Sequence, residues 1–136
     1  MANPIRIVLA DDNESLVEGV DALLRAEGSV TVVGQSADAA GAARLAEQCK
    51  PDLVILDVTM PLIDGIEATR RLRALLPSMR ILVVSGHNAP TYAGSALKAG
   101  ADGYVTRHSL DDELVAAIRA VVAGEGYVSE ALRIFC

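Results

Sequence analysis

The chain has few aromatic residues: tryptophan is absent, phenylalanine occurs once and tyrosine three times, although 51% of the 136 residues are hydrophobic. A core without large rings must be built from Val, Ile, Leu and Ala, which suit helices packed against a parallel sheet. A length of 136 residues corresponds to one domain, large enough to bury an ordinary core without disulfides or structural metals.

Basic runs, cysteines and long apolar stretches are also scarce. The net charge is −6, which excludes a nucleic-acid-binding footprint within this chain. No stretch approaches the roughly 18 apolar residues of a membrane span, and the first residues lack the basic head and apolar run of a secretory signal. Cys49 and Cys136 lack the spacing of metal ligands. We therefore expect a cytoplasmic protein with free thiols and no membrane contact.

Apolar strands alternate with amphipathic helices five times along the chain. This alternation predicts right-handed crossovers and one parallel sheet with helices on both faces. Five such units fit an α/β, flavodoxin-like doubly wound fold with strand order 2-1-3-4-5. The predicted strands cover residues 5–10, 30–34, 53–57, 81–84 and 103–106, the helical patterns begin near residues 13, 39, 64, 90 and 110, and a short helical segment is expected at 129–135.

Two predicted helix starts carry capping signals. Asp64 is followed three residues later by Glu67, and Ser109 is followed three residues later by Asp112. Both spacings are those of a capping box, in which the first side chain accepts a hydrogen bond from the helix backbone. We therefore expect Asp64 and Ser109 to cap the third and the last helix.

Polar side chains stand where three of the predicted strands end. Asp11 and Asp12 follow the first strand, Asp57 ends the third, and Ser85 follows the fourth. The carboxyl ends of parallel strands meet at one edge of the sheet, where ligands bind in such folds. Clustered carboxylates repel unless one is protonated or a cation joins them, and Mg²⁺ prefers such oxygen ligands. With Arg107 as a nearby cation, this edge favours transfer of a phosphoryl group to Asp57 over simple loop capping.

In these motifs the chain resembles the receiver domain of two-component response regulators over nearly its whole length. The matching pieces are residues 7–12, Asp57-x-x-Met60-Pro61-x-x-Asp64-Gly65, Val84-Ser85 and residues 99–105, while residues 117–129 are similar to the NarL/FixJ (LuxR-type) subfamily. The resemblance implies a CheY-like fold, with a receiver domain at 1–128 and a helical tail or linker start at 129–136. Members of that subfamily usually carry a helix-turn-helix DNA-binding domain next, and we expect none within these 136 residues. The chain would then be either a domain excised from such a protein or a stand-alone receiver.

The resemblance also implies a phosphoacceptor site. Asp57 would accept phosphate from a sensor histidine kinase, and Asp11, Asp12 and Asp57 would bind Mg²⁺ together with the backbone carbonyl of Thr59. Mn²⁺ or Ca²⁺ would substitute for Mg²⁺. The domain would act as a signalling switch rather than as an enzyme, with only self-phosphoryl transfer and autodephosphorylation.

A two-residue switch is implied in the same way. Ser85 would bond the phosphoryl oxygens, and Tyr104 would turn inward when Ser85 is drawn to the phosphate. The extra charge would shift the surface formed by the fourth helix, fifth strand and fifth helix. The implied partners are the kinase and a second copy that dimerises on phosphorylation, with DNA bound only through another domain to regulate transcription.

One residue departs from the family pattern. The family places Lys after the fifth strand, whereas this chain has Arg107, followed by His108. Arg remains charged but is longer and planar, so we hypothesise slower phosphorylation or weaker coupling to the switch. Thr59 and His87 occupy positions that tune the access of water to the phosphoryl group in the family.

Three other functions are conceivable for a strand-end aspartate in such a fold. A phosphatase of the haloacid-dehalogenase type needs a second Asp two residues after the nucleophile, where this chain has Thr59. A flavin- or dinucleotide-binding module needs a glycine-rich loop after the first strand, where this chain has acidic residues. A pseudo-receiver that binds partners without phosphorylation remains the alternative, because Arg107 replaces the usual Lys.

Overall fold

The structure, a computed structural model, describes residues 4–11, 14–58, 62–86 and 90–135. Strands and helices alternate along the chain, as predicted. The strands are β1 (Ile5–Ala10), β2 (Val30–Ser36), β3 (Leu53–Val58), β4 (Ile81–Ser85), β5 (Gly103–Thr106) and β6 (Tyr127–Val128); the helices are α1 (Glu14–Glu27), α2 (Ala39–Cys49), α3 (Leu62–Leu75), α4 (Pro90–Ala99) and α5 (Leu110–Val122). Two 3₁₀ helices follow β5 and β6, at Arg107–Ser109 and Glu130–Phe135.

The strands form one parallel sheet with the order β2-β1-β3-β4-β5-β6. The predicted order 2-1-3-4-5 is therefore confirmed for the first five strands. The sequence interpretation missed the sixth strand, which pairs with the outer edge of β5. Gly124 and Gly126 both have positive φ, and they form the turn that returns the chain from α5 to this edge.

The core consists of two layers, one on each face of the sheet. Successive strand residues point to opposite faces, so β3 sends Val54 and Leu56 to one layer and Leu53 and Ile55 to the other. The first layer packs under α2, α3 and α4, and the second packs under α1 and α5. Both faces of the central strands are thus shielded from water, which agrees with their nearly continuous apolar sequence.

The capping prediction for Asp64 was wrong, and the one for Ser109 is confirmed in position but not in its hydrogen bond. α3 begins at Leu62, so Asp64 lies inside its first turn rather than before it. Ser109 does precede α5, but its side chain makes no capping hydrogen bond. It instead accepts a hydrogen bond from the Thr106 hydroxyl, 3.2 Å away. A 3₁₀ turn immediately before α5 places Ser109 in a conformation that differs from the extended one of an N-cap residue.

The last described residues pack on the rest of the domain. The expected helical segment is the 3₁₀ helix at Glu130–Phe135, and Ser129 and Leu132 are buried at its start and within it. In the described ranges, no helix is both long and apolar enough to cross a membrane.

Candidate phosphoacceptor site

Strand register brings the predicted site residues to one edge of the sheet. Ala10 of β1 pairs with Leu56 of β3, so the residues that follow them, Asp11 and Asp57, are neighbours. Ser85, the last residue of β4, pairs with Val58 of β3. Residues distant in the sequence therefore meet because parallel strands end together.

Asp57 is a buried carboxylate that contacts a cation. It is 1% exposed, and its Oδ1 atom accepts a hydrogen bond from Arg107 Nη2 at 2.9 Å. The same Nη2 atom also donates to the carbonyl oxygen of Val58, at 3.2 Å. Arg107 belongs to the 3₁₀ turn after β5, and an added Cβ at Gly86 would lie 3.2 Å from its Nη1 atom. Arg107, which the sequence analysis placed near this edge as a cation, therefore forms an ion pair with Asp57.

The surroundings of Asp57 favour its protonated form. Burial, and then the negative charge of the nearby Asp11, raise the pKa of Asp57 to about 7, although Arg107 opposes both effects. The ordinary value is 3.8. Asp57 thus titrates close to neutral pH unless a further positive charge is added.

The residues present fit a divalent cation. Among the described residues, none donates a hydrogen bond to Asp57 Oδ2, which is itself buried, while Asp11 is 7% exposed and repels Asp57. Mg²⁺ is a hard cation that takes oxygen ligands. Two neighbouring carboxylates, one of which has a buried oxygen that accepts no hydrogen bond from the described residues, suit such an ion. Among the described residues, no three His, Cys, Asp or Glu side chains are placed so that together they could hold a metal ion. Asp12 and Thr59, the other predicted ligands, lie outside those residues.

Ser85 and Tyr104 are in contact behind the site. Both are fully buried. Burial raises the pKa of the Tyr104 hydroxyl to about 12, and a hydrogen bond with Ser85 opposes this shift. The ring of Tyr104 lies 5.8 Å from that of Tyr92, with an interplanar angle of 55°. The predicted switch tyrosine is therefore already inside the protein in this structure.

Beside Asp57 lies a cavity of about 350 Å³ that extends between α2 and α3. Small side chains leave this space open, namely Ala39 on α2 and Ala68 on α3. Arg71 of α3 also lines it. Asp11 and Asp57 line it as well, so this cavity lies directly against the buried carboxylate.

Some predicted residues do not take part in the described site. His87 lies outside the described residues. His108 is exposed and follows Arg107 in the 3₁₀ turn. The sequence interpretation did not identify Tyr92 as the neighbour of Tyr104, and no local pattern pairs a helix residue with a strand residue.

The sequence interpretation also missed a polar cluster around Glu113 of α5. Glu113 Oε1 accepts hydrogen bonds from the Tyr127 hydroxyl, at 2.9 Å, and from the Glu130 backbone N–H, at 2.8 Å. Burial alone would raise the pKa of Glu113, but these bonds and those from Ser129 and Ser109 lower it below its ordinary value. Tyr127 also belongs to β6, which the sequence interpretation missed. The sequence signal for that strand was the β-prone pair Tyr127-Val128 after two glycines.

The fold and the acidic edge place this chain among the doubly wound α/β domains, a class in which ligands bind at the carboxyl ends of the parallel strands. The match to known families agrees: residues 7–119 match the response regulator receiver domain. The chain is 39% identical to the nitrate/nitrite response regulator protein NarL of Escherichia coli K12 over 129 residues, covering 95% of this chain and 60% of NarL. It is 36% identical to the transcriptional regulatory protein DegU of Brevibacillus brevis over 126 residues, covering 93% of this chain and 53% of DegU.

Solved structures give the same result. The two-component response regulator of the LuxR family from Aurantimonas sp. SI85-9A1 superposes with a TM-score of 0.87 at 39% identity, covering 97% of this chain and 94% of that one. The chain belongs to the response regulator receiver domains, and its relatives are of the NarL type within the LuxR family. It spans between 53% and 60% of the length of the relatives named above.

Proposed function

We propose that this domain is a phosphorylation-controlled switch in which Asp57 accepts a phosphoryl group from the phosphohistidine of a sensor kinase. The observation that carries the proposal is the ion pair between buried Asp57 and the partly exposed Arg107, beside Asp11 at the carboxyl edge of the sheet. A buried carboxylate with a raised pKa and a cationic partner is typical of a reactive group.

The chemistry follows from the residues around Asp57. A carboxylate oxygen of Asp57 attacks phosphorus, the P–N bond of the phosphohistidine breaks, and the imidazole leaves with the bond's electron pair. Bound Mg²⁺ would neutralise charge on the carboxylates and on the phosphoryl oxygens. Asp11 and Asp57, with Asp12 and the Thr59 carbonyl by family resemblance, would hold that ion. Arg107 would stabilise the phosphoryl oxygens through its planar set of donors.

Conversion of the Asp57 carboxylate to an acyl phosphate would replace its single charge with a phosphoryl group that carries about −1.5 to −2 charge and three strong acceptors, within reach of Ser85 and Arg107. Ser85 is then drawn from its bond with Tyr104 to a phosphoryl oxygen. Because the Tyr104 ring is already buried, the movement of Ser85 would change the hydrogen bonding of the Tyr104 hydroxyl and not the exposure of the ring. The surface formed by α4, β5 and α5 would carry the signal.

The output and the partners are proposed from the relatives. DegU is named a transcriptional regulatory protein and NarL a response regulator, and both are longer than this chain. We propose that this receiver likewise serves transcription regulation through a separate DNA-binding domain and forms a homodimer on phosphorylation.

A pseudo-receiver remains the second candidate because Arg107 Nη2 already bonds Asp57 Oδ1. In that case the domain would bind its partner without phosphorylation. The intact pair of Asp11 and Asp57 favours phosphorylation over this alternative.

Labelling with an acyl phosphate donor in the presence of Mg²⁺ distinguishes these functions. We expect incorporation of one phosphoryl group per chain, its loss in Asp57→Asn, and its retention in the control Asp111→Asn, which changes an exposed residue of α5. Labelling that persists in Asp57→Asn contradicts the assignment of the phosphoacceptor. Absence of labelling in the unaltered chain, together with no response to beryllofluoride, favours the pseudo-receiver.

A further inference from the structure

The side chain of Arg107 reaches Asp57 from a backbone position at the very end of a strand. β5 ends at Thr106, and Arg107 is the next residue. Thr106 is 3% exposed and lies opposite Ser85 of β4 in the sheet. Because the Arg107 side chain extends from the residue after Thr106, the position of its guanidinium depends on how the end of β5 is held.

Ser129 makes two hydrogen bonds to the outer edge of β5 at this point. Its backbone N–H donates to the Tyr104 carbonyl oxygen at 2.9 Å, and its Oγ atom accepts from the Thr106 N–H, also at 2.9 Å. Alternate residues of a strand direct their backbone groups to the same neighbouring strand. β6 ends at Val128, and a 3₁₀ helix begins at Glu130, so the chain leaves the sheet at Ser129. The Ser129 hydroxyl therefore supplies the acceptor that a longer β6 would offer to Thr106 from its backbone.

Contacts on both sides of Ser129 hold it in place. Glu113 Oε1 accepts hydrogen bonds from the Tyr127 hydroxyl and from the Glu130 N–H, which precede and follow Ser129 in the chain. The Leu132 N–H donates to the Ser129 carbonyl oxygen at 2.9 Å. Ser129 itself is 0% exposed. Its hydroxyl is thus a buried acceptor in a fixed position.

The guanidinium of Arg107 has few contacts of its own among the described residues. Its Nη2 atom donates to Asp57 Oδ1 and to the Val58 carbonyl, whereas its Nε atom is buried and donates to no atom of those residues. A guanidinium has five N–H donors, so most of its donors do not fix its position here. The backbone anchor at the end of β5 consequently matters for where this side chain lies.

We propose that Ser129 is a positioning residue for Arg107: by holding the end of β5, it determines where the guanidinium meets the phosphoryl group on Asp57. The inference rests on the proposed function. Without the Ser129 hydroxyl, the Thr106 N–H would be buried without its acceptor, which is unfavourable. The end of β5 would then move to find another acceptor, and Arg107 would be found beside Asp57 less often. Ser129 lies beyond the family match at residues 7–119, so this role extends the site past that part of the chain.

A double-mutant cycle on the affinity for beryllofluoride in the presence of Mg²⁺ tests the positioning role. We expect Ser129→Ala to bind this phosphoryl analogue about fivefold more weakly, as for the loss of one hydrogen bond. The same change should have no effect when Arg107 is already replaced by Ala, because Ser129 acts through Arg107. Equal weakening in both backgrounds overturns the proposal, since it shows a route that does not involve Arg107.

The control for this cycle is Thr69→Ala. Thr69 is 1% exposed, and its hydroxyl donates to the Gly65 carbonyl at 2.9 Å within α3. This change also removes a buried, hydrogen-bonded hydroxyl, but one that is not attached to β5. We expect it to leave the affinity for beryllofluoride unchanged. A loss of affinity equal to that of Ser129→Ala would show that removal of any buried hydroxyl has this effect, and would overturn the proposal.

Exchange of the Arg107 Nε–H with water, followed by NMR without any ligand, tests the positioning independently of phosphorylation. We expect this buried group to exchange about tenfold faster in Ser129→Ala, because local opening exposes it. Ser129→Cys should give an intermediate rate, since sulfur is a weaker acceptor on a side chain of similar shape, and it provides the comparison if Ser129→Ala does not fold. Unchanged exchange overturns the positioning role alone. Failure of the unaltered chain to bind beryllofluoride overturns the proposed function, while the exchange rates still decide whether Ser129 holds Arg107 in place.

Discussion

The rings of Tyr92 and Tyr104 lie 5.8 Å apart and are tilted by 55°, a separation at which aromatic pairs attract each other. Tyr92 belongs to α4 and Tyr104 to β5. A change in the position of Tyr104 therefore changes its packing against α4, which lies on the surface proposed to carry the signal. The hydroxyl of Tyr92 in turn lies close to Gly65 of α3, which links a third element to the pair.

The first prediction concerns the space that Gly65 leaves. A Cβ at this position would lie 2.2 Å from the Tyr92 hydroxyl oxygen and 2.5 Å from Val58 Cγ1. Gly65→Ala should therefore lower the free energy of unfolding by about 1–3 kcal/mol through overpacking, measured by chemical denaturation. The control is Gly94→Ala in α4, where nothing lies within 4 Å of an added Cβ, and there we expect a gain of about 0.5–1 kcal/mol. Equal effects of the two substitutions would contradict this account of Gly65.

The second prediction concerns pH and Asp57. Because the pKa of Asp57 is raised from 3.8 to about 7 in the folded protein, the folded state holds the proton more tightly than the unfolded state. This contribution is fully present below pH 4 and is lost as the pH rises to about 7. Asp57→Asn does not titrate, so its stability relative to the unaltered protein should increase over that range, by up to about 4 kcal/mol.

Denaturation curves measured in a chelator at several pH values between 4 and 8 test this prediction. The quantity to compare is the difference in free energy of unfolding between Asp57→Asn and the unaltered protein. A difference that stays constant across the range shows that Asp57 is ionised in the folded state throughout.

The third prediction concerns Arg107. Its Nη2 atom donates hydrogen bonds both to Asp57 Oδ1 and to the Val58 carbonyl. These two bonds hold the guanidinium in place beside the carboxylate. A lysine ammonium is compact and turns freely towards an incoming phosphoryl group. We expect Arg107→Lys to label faster with an acyl phosphate, by roughly tenfold, which corresponds to about 1.4 kcal/mol in the barrier.

A suitable control for this variant is Arg70→Lys, because Arg70 is exposed and pairs with Glu67 on the same helix. Its labelling rate should not change. The hypothesis that Arg107 slows phosphorylation or weakens its coupling fails if Arg107→Lys matches the unaltered protein in both rate and conformational response to beryllofluoride.

The fourth prediction concerns the end of the domain. Leu132 is 4% exposed and packs in the layer under α4, although the sequence placed it in a tail beyond the receiver domain. Leu132→Ala should cost about 2–4 kcal/mol, as expected for a buried leucine. Leu75→Ala, at a residue that is 47% exposed, should change stability by less than about 1 kcal/mol. A similar small effect of both substitutions would place Leu132 outside the cooperative fold.

Local pattern and chain order were sufficient to predict much of this protein. Apolar runs that end in Asp11, Asp57 and Ser85 predicted the parallel sheet, its order through the fifth strand and the edge at which these side chains meet, because strand ends coincide in such sheets. Helix starts were predicted less accurately, since a capping box describes only a few residues. Asp64 lies inside α3, and Ser109 is the last residue of a 3₁₀ turn and makes no capping hydrogen bond.

Only the tertiary structure decided which distant residues touch. Three contacts join residues from different elements: the pairing of β6 with β5, the ring contact of Tyr92 with Tyr104, and the hydrogen bonds of Glu113 with Tyr127 and Glu130. Hydrophobic periodicity specifies the buried face of an element but not its neighbour on that face. The sequence by itself therefore determined the fold class and the acidic edge, whereas packing decided how that edge is connected to the last residues of the domain.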